Sequence, residues 1–400
     1  MKRLAIIPIA AFLAATALAG CTTEEGGTTT LTFWHDNDEN MMNYLAAAAT
    51  DALKDEGITV EAVKKSGIQD QIKLYGNDSS NGPDFFFGAH DAIGAYAEMG
   101  ILAGIEDYAD ATTLGSFLDS TVDAGEYKGT KYLFPLYAET NLLFYNKDLW
   151  KGEMPTTTDG LLAYNEARIE EGSYGFLNQY NDTYNAAPWI NGYGGFVING
   201  EATPGISDAK TKEGAAYNAR FAPTMSDGTY DTITNLFLEG KADGILAGPW
   251  FVSSVKDAGI DCGYVSLSRF ELPNGEVLAP YEGVQGFAVM KYAEAKKDAI
   301  GKALKAMATL QVATDLAKDY NCTPALEAAS EVAEVTSNEM VEETQYTIAE
   351  SAVPTPNIPE MGVMWTPFTN FLTAVNKGEN IDEAATKYQA DAVQAIENMH

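Results

Sequence analysis

The chain has few basic residues and few histidines. Against 57 acidic side chains it has 25 lysines and arginines, which gives a formal charge of −32, and it contains 3 histidines. This surplus of negative charge disfavours binding to nucleic acid or to anionic lipid headgroups, because both are themselves negatively charged. The acids are spread along the sequence, so a solvated acidic surface explains them more simply than an acidic functional patch.

Cysteines and long apolar runs are also scarce. Apart from Cys21, the sequence contains only Cys262 and Cys322. In an extracytoplasmic protein these two residues could form one disulfide or remain as two buried thiols. After the N-terminal leader, no stretch approaches the roughly twenty apolar residues that a membrane helix needs. We therefore expect the mature body to be soluble.

The N-terminus has the pattern of an export signal. A positively charged start precedes an apolar run that ends at Leu18, and a run of about fifteen residues is short for a membrane span. Residues 18–21, Leu-Ala-Gly-Cys, resemble the lipobox of bacterial and archaeal lipoproteins, which implies cleavage before Cys21 and a lipid on its thiol. We predict a signal peptide over residues 1–20 and a lipid-anchored linker over residues 21–30, with an ordinary secretory leader as the alternative.

The mature chain of about 380 residues is too long for one core, so two domains or an interleaved pair are expected. Strands and helices alternate along it, which is typical of open α/β sheets. Strands are predicted at residues 31–34, 58–63, 84–87, 142–146 and 244–248. Helices are predicted after the candidate caps Asp36 and Asp38, at about residues 67–75, from Asp91 to Met99, and as one long helix from Ile300 to Leu316. Residues 178–196 have the composition of a functional loop.

Two His-Asp pairs raise the hypothesis of a metal site. His35-Asp36 and His90-Asp91 each follow a predicted strand, and ligands gather at the carboxyl ends of strands in open α/β sheets. Imidazoles and carboxylates together could hold a transition metal. The sequence has no HxH, HxxxH or HExxH spacing, however, so structural histidines are the simpler interpretation, and we predict no metal and no cofactor.

Acids and aromatic residues leave two further hypotheses open. Glu139 and Asp182 could act as the acid and the base or nucleophile of a glycosidase. Alternatively, carboxylates could accept hydrogen bonds from sugar hydroxyls while tryptophans such as Trp250 and Trp365 stack on the apolar faces of the sugar rings. The second hypothesis describes recognition without chemistry.

Four sequence blocks then favour recognition. They are GPDFFFGAHDAIGAYAEMGIL (82–102), FPLYAETNLLFYNKDLW (134–150), LAGPWFVSSV (246–255) and TPNIPEMGVMW (355–365). In order and spacing they resemble the maltose/maltodextrin-binding proteins, which are extracellular solute-binding proteins (family 1) of ABC importers. The resemblance covers essentially the whole mature chain.

This resemblance implies a two-lobed periplasmic-binding-protein fold of type II, with open mixed sheets, flanking helices and a ligand cleft between the lobes. It implies a first lobe of residues 31–137 plus 285–330 and a second of residues 138–284 plus 331–400. It also implies crossovers near residues 138–140 and 281–286 and a third near residues 325–335. The expected function is that of a monomeric, non-enzymatic carbohydrate receptor, held on the outer face of the cell membrane, that closes on its ligand and docks on the permease subunits of an ABC transporter. A glycoside hydrolase, or a receptor for a metal or another non-sugar solute, remains the alternative.

The resemblance also assigns ligand-binding roles to individual residues. Polar or backbone contacts in the first lobe are assigned to Asp36, Asp38, Ala89 and Asp91. A carboxylate beside the crossover is assigned to Glu139, and a second-lobe carboxylate to Asp182. Stacking roles are assigned to Tyr184, Trp250 and Trp365.

Four positions depart from the family pattern. Gly88 stands where these relatives have a stacking tryptophan, Ala92 where they have an arginine, Glu39 where they have a lysine, and Thr366 where they have a tyrosine. The first-lobe side of the cleft therefore lacks an aromatic wall and two cations. These departures leave the sugar and its length open.

Overall fold

The structure is a computed structural model that describes residues 28–224 and 228–399. The predicted signal peptide and Cys21 lie outside the described residues. The strands are β1 (Thr29–His35), β2 (Ile58–Lys64), β3 (Phe85–Ala89), β4 (Glu126–Tyr127), β5 (Thr130–Lys131), β6 (Leu133–Thr140), β7 (Leu142–Asn146), β8 (Gly244–Ala247), β9 (Cys262–Ser266), β10 (Tyr281–Val289), β11 (Thr323–Pro324) and β12 (Val353–Pro354).

Within residues 28–224 and 228–399, sixteen α-helices accompany the strands. They are α1 (Glu39–Leu53), α2 (Ile68–Tyr75), α3 (Ile93–Glu98), α4 (Ala111–Leu114), α5 (Asp119–Ala124), α6 (Thr158–Glu170), α7 (Thr183–Gly192), α8 (Ala209–Asn218), α9 (Tyr230–Leu238), α10 (Val252–Asp257), α11 (Lys297–Ala306), α12 (Leu310–Tyr320), α13 (Ala333–Thr336), α14 (Glu339–Glu350), α15 (Met361–Asn376) and α16 (Ile381–Glu397). The predicted α/β class is confirmed.

The larger sheet has seven strands, with the order β11-β6-β10-β3-β1-β2 and with β12 beside β10. Its β1, β2 and β3 are parallel, whereas β10 runs antiparallel to both β3 and β6. The sheet is therefore mixed. Parallel strands end at the same edge of a sheet, so the residues that follow β1 and β3 lie close together.

Strand β3 is central because its sequence is apolar on both faces. Phe85 and Phe87 pack on one face of the sheet, and Phe86 packs on the other against Tyr96. All three phenylalanines are buried, and burying each side chain stabilises the fold by roughly 1.5–3 kcal/mol. The three rings therefore anchor the strand from which the polar residues at its end project.

Helix α1 begins where the sequence predicts. The Oδ1 atom of Asp38 accepts a hydrogen bond from the backbone N–H of Met41, 2.9 Å away, and so caps the helix. The apolar face of the helix, including Leu45 and Ala49, is buried against the larger sheet. Asp36, the other candidate cap, is exposed. The cap matters for the site because it fixes the position of the Asp38 carboxylate.

A smaller sheet of three strands has the order β8-β7-β9, and both of its pairings are antiparallel. The chain enters it directly, since β6 ends at Thr140 and β7 starts at Leu142. Helix α10 packs on this sheet through Val252 and Val255. A separate apolar cluster joins α7, α8, α15 and α16 beside it.

Two expectations about helices are wrong. Residues 178–196 are not all loop, because the Asp182 side chain caps helix α7. The expected single helix from Ile300 to Leu316 is two helices, α11 and α12, because the side chain of Thr309 caps the start of the second one. Strand β1 also begins at Thr29, inside the stretch predicted as linker.

Cys262 and Cys322 are free thiols. The Sγ atom of Cys322 lies 3.6 Å from the Sδ atom of Met41 in the core, and burial raises its pKa. The sequence left open whether these two cysteines form a disulfide or remain as thiols. The structure supports two thiols. Across the residues that the structure describes, we find no helix of sufficient length and hydropathy to span a bilayer.

Candidate functional site

The cleft lies between the larger sheet and the smaller sheet. Asp38, at the start of α1 on the larger-sheet side, directly contacts a residue on the smaller-sheet side. Its Oδ2 atom accepts a hydrogen bond of 3.2 Å from the hydroxyl of Ser253 on α10. The neighbouring Asn37 connects this turn to β6. Its Oδ1 atom accepts a hydrogen bond of 2.7 Å from the Asp38 N–H, and its side-chain amide donates one of 3.2 Å to the Tyr137 hydroxyl. A cavity of about 20 Å³ lies here beside Trp250, which is room for about one water molecule.

At the end of β3, the two halves of the His90-Asp91 pair have different environments. His90 is buried and uses both ring nitrogens: Nδ1 accepts a hydrogen bond from the Val284 N–H, and Nε2 donates to the Thr355 carbonyl, each at 3.0 Å. Burial lowers the pKa of His90. The imidazole is therefore neutral and structural, and it joins β3 to the segments around β10 and β12.

The Asp91 carboxylate interacts instead with the backbone at its own position. Burial raises its pKa, while the nearby His90 and the backbone N–H groups of Asp91 and Ala92 act in the opposite direction. Asp91 lines a cavity of about 220 Å³ together with Asp36 and Ala89. These three residues, all assigned to the first-lobe side of the cleft, are thus brought together. The side chain of Asp36 is exposed, but its partial desolvation beside the cavity raises its pKa.

Glu139 lies at the end of β6, close to the point where the chain leaves the larger sheet. Its Oε1 atom accepts a hydrogen bond of 2.7 Å from the Nε2 atom of Gln285 on β10. Burial raises the pKa of Glu139 to about 7, and the charge of Asp91 acts in the same direction. Gln285 also lines the cavity that contains Asp91, so Glu139 lies beside this cavity.

Tyr184 lies in the first turn of α7. Burial raises the pKa of its hydroxyl, and so do the charges of Glu139, Asp91 and Asp182. Asp182 is held as the cap of α7, since its Oδ1 atom accepts from the N–H and the side-chain amide of Asn185, both at 2.9 Å. Burial raises the pKa of Asp182 as well.

Aromatic rings extend this side of the cleft. The ring of Tyr184 lies 6.3 Å from that of Trp250 and 6.1 Å from that of Tyr281, measured between centroids. Trp250 is 40% exposed, and its indole N–H donates to the Tyr230 hydroxyl at 2.8 Å. The indole is therefore held in place while its face remains accessible.

Trp365 lies on α15 beside the start of α7. It is half-buried against the same apolar cluster as Tyr184, and its backbone carbonyl accepts a hydrogen bond of 3.2 Å from the Thr183 hydroxyl. Trp365 is thus connected to α7, whose Tyr184 ring lies 6.3 Å from that of Trp250.

Sequence reasoning missed two polar groups in this region, Asn37 and Gln285, and the buried Glu282 on the same strand as Gln285. Gln285 could have been found from the register of an antiparallel β6–β10 pair, but the sequence does not reveal that pairing. Glu282 is buried on β10, and burial raises its pKa. Nothing in the spacing of the sequence distinguishes it from the other acids.

The region does not have the composition of a metal site. Within residues 28–224 and 228–399, no group of three or more His, Cys, Asp or Glu side chains is arranged to hold a metal ion. His90 has no nitrogen left to coordinate one, because both accept or donate hydrogen bonds. What the region offers instead is a set of hydrogen-bond acceptors and a group of neighbouring aromatic rings.

Comparisons with known proteins agree with this geometry. Residues 47–343 match the family described as bacterial extracellular solute-binding protein. A maltodextrin-binding protein of Bacillus subtilis is 31% identical over 379 residues, which cover 90% of this chain and 88% of that relative. A galactooligosaccharide-binding protein of the same organism is 28% identical, with 89% and 87% covered. A maltooligosaccharide ABC transporter solute-binding lipoprotein of Streptococcus pneumoniae is 25% identical, with 90% and 86% covered.

A solved structure gives the same result. The crystal structure of a cyclo/maltodextrin-binding protein complexed with maltotetraose is similar to this chain with a TM-score of 0.77 and 25% identity. The match covers 93% of this chain and 99% of that chain. It confirms the predicted two-lobed α/β fold and the predicted resemblance.

Proposed function

Because the chain belongs to the bacterial extracellular solute-binding protein family, we propose that it is a receptor for an oligosaccharide of the maltodextrin type. One arrangement carries this proposal: Gln285 donates a hydrogen bond to Glu139 and lines the same cavity as Asp91, while the Tyr184 ring lies 6.3 Å from that of the exposed Trp250. Aromatic faces suit the C–H faces of sugars, and carboxylates suit their hydroxyls. The names of the relatives from Bacillus subtilis and Streptococcus pneumoniae support a sugar ligand.

The receptor works by closure of its two lobes around the sugar. We assign residues 31–137 plus 285–330 to the first lobe and residues 138–284 plus 331–400 to the second. A ligand that contacts Asp91 on one side and Trp250 on the other favours the closed state by its higher affinity for that state. The β6 and β10 strands, paired from Leu133 to Thr140, connect the two sides and would bend during closure.

The ligand is then delivered to the permease subunits of an ABC transporter, and the protein acts as a monomer without chemistry of its own. In this proposal Cys21 carries the lipid that holds the receptor on the outer face of the cell membrane. The streptococcal relative named as a lipoprotein supports this anchor.

A thermal-shift screen of the mature protein tests the ligand class. A ligand that binds only the folded state raises the melting temperature, so maltotriose and longer maltodextrins should raise it, and sugar alcohols and amino acids should not. The anchor has a separate test. Metabolic labelling with a palmitate analogue should label the wild-type protein and leave the Cys21→Ala variant unlabelled.

The glycosidase alternative is distinguished by the fate of the sugar. If the receptor proposal is right, maltodextrins incubated with the protein are recovered at their original length. Hydrolysis that disappears in the Glu139→Gln variant would instead support catalysis by this carboxyl group.

A further inference from the structure

The first turn of α7 contacts both crossovers by which the chain passes between the two sheets. Asn141 is the one residue between β6 and β7, and its side-chain amide donates to the Oδ1 atom of Asn185 on α7 at 3.5 Å. The ring of Tyr184, also on α7, lies 6.1 Å from that of Tyr281 at the start of β10. The Thr140 hydroxyl donates to the Tyr281 carbonyl at 2.8 Å and so joins the two crossovers. The start of α7 therefore contacts the segments that would bend during closure.

Asn185 is hydrogen-bonded through four polar groups. Its backbone N–H and its side-chain amide both donate to the Oδ1 atom of Asp182 at 2.9 Å. Its own Oδ1 atom accepts from Asn141, and its backbone carbonyl accepts from the side-chain amide of Asn178 at 2.8 Å. Asn185 is buried, so water competes little for these bonds. The Asp182 carboxylate is thus held by a residue that itself contacts the β6–β7 crossover.

The stability of the fold does not explain an asparagine at position 141. Asn141 is 1% exposed and directly precedes the buried Leu142. Its contact with Asn185 is long for a hydrogen bond, and its own Oδ1 atom has no partner within the part of the chain that the structure describes. A buried acceptor without a partner costs free energy, which a leucine of similar shape would avoid. This cost points to a role for the amide in function.

We propose that Asn141 and Asn185 are positioning residues, which transmit the bending of the β6–β7 crossover to Asp182 and Tyr184 at the start of α7. A few residues at the ends of elements absorb hinge motions, and Asn141 has such a position. When the crossover bends, the Asn141 amide moves against Asn185, and the carboxylate that Asn185 holds moves with it. The inference rests on the proposed function, because it takes Asp182 and Tyr184 as contacts of the sugar.

The Asn141→Leu variant separates this role from a structural one, with maltotriose as the probe. Because the substitution also removes the unpartnered oxygen, the melting temperature of the ligand-free variant should equal or exceed that of the wild type. Calorimetric titration should show an affinity about tenfold lower. Small-angle scattering measures compaction, the decrease in radius of gyration on adding sugar, and compaction at saturating maltotriose should be smaller than in the wild type. A structural residue would instead lower the melting temperature and leave compaction at saturation unchanged.

The Asn185→Leu variant tests the other member of the pair and keeps the test valid if Asn141→Leu does not fold. It should weaken binding at least as much, because Asp182 loses its side-chain donor. The double variant should bind no more weakly than Asn185→Leu alone, since residues in one network do not contribute additively. Thr344→Val is the matched control. The Thr344 hydroxyl on α14 is also buried and without a partner among the described residues, and its removal should change neither affinity nor compaction.

The results separate the inference from the proposed function. Wild-type affinity and compaction in both asparagine variants would overturn the inference alone, and so would additive losses in the double variant. A loss of affinity in Thr344→Val equal to that in Asn141→Leu would overturn it as well. Absence of maltotriose binding to the wild type would overturn the proposed function and, with it, the inference.

Discussion

The Ser253 hydroxyl donates a hydrogen bond of 3.2 Å to the Oδ2 atom of Asp38 and so links α10 on the smaller sheet to α1 on the larger one. Asp38 is fixed for this contact because its other oxygen caps α1. The two sides of the cleft are thus joined by a side-chain contact that has to break when the lobes separate.

The Ser253→Ala variant should therefore shift the protein toward the open state. A hydrogen bond to a charged group contributes about 1.5–3 kcal/mol, and partial exposure reduces this, so a loss of roughly 1 kcal/mol in sugar affinity is expected. Small-angle scattering of the ligand-free variant should show a larger radius of gyration. Ser254→Ala is the control, because Ser254 is exposed on the same helix. Equal effects of the two substitutions would mean that the contact has no role in closure.

Aromatic stacking should carry much of the affinity. Replacing Trp250 or Trp365 by alanine should weaken sugar binding by about 1–3 kcal/mol each, the range for an aromatic contact buried on binding. Calorimetric titration measures this loss. Tyr346→Ala, which removes an exposed ring that packs on Arg269 away from the cleft, should leave affinity unchanged. If both tryptophan variants bind as well as the wild type, the ligand lies elsewhere.

The buried Glu139 should make stability depend on pH. Burial raises its pKa from 4.5 to about 7, so between these values the folded state holds a proton that the unfolded state has lost. The free energy of unfolding should therefore fall by about 3 kcal/mol at most as pH rises through this window. Above the window it should stay level. Urea denaturation at pH 4 to 8 measures the slope.

The Glu139→Gln variant should lose this part of the slope, because its side chain does not titrate. Glu350→Gln is the control, since Glu350 is exposed at the end of α14. A slope that is unchanged in Glu139→Gln would show that other carboxyl groups cause it.

His90 should matter for folding and not for metal binding. Its removal in His90→Ala leaves the Val284 N–H and the Thr355 carbonyl without their partners, and each such loss costs about 1–3 kcal/mol. The melting temperature should fall accordingly. Titration with Zn²⁺ should give the same result for wild type and variant. Micromolar binding that disappears in the variant would instead favour the metal hypothesis.

Local sequence patterns predicted those parts of the fold that depend on neighbouring residues. The apolar run at Phe85–Ala89 and the cap at Asp38 need no distant partner to be recognised, and both are where the sequence predicts. The break between α11 and α12 was missed because Met307 and Leu310 continue the helical spacing across it. The signal was Thr309, whose side chain caps the second helix.

The site could be predicted only in part for a related reason. Asp91, Glu139 and Tyr184 come from separate segments, and their grouping followed from a resemblance rather than from their spacing. The Gln285 side chain that donates to Glu139 depends on the register of β6 and β10, which no local pattern encodes. The helix α7 was missed because glycines and tyrosines around it are typical of loops.

The most direct test of the account is calorimetric titration of the mature wild-type protein with maltodextrins of three to seven glucose units, with the sugars recovered afterwards and sized. The account predicts saturable binding of one sugar per protein at micromolar concentration or below, with every sugar recovered intact. Either no measurable binding of any maltodextrin or shortening of the recovered chains would contradict it.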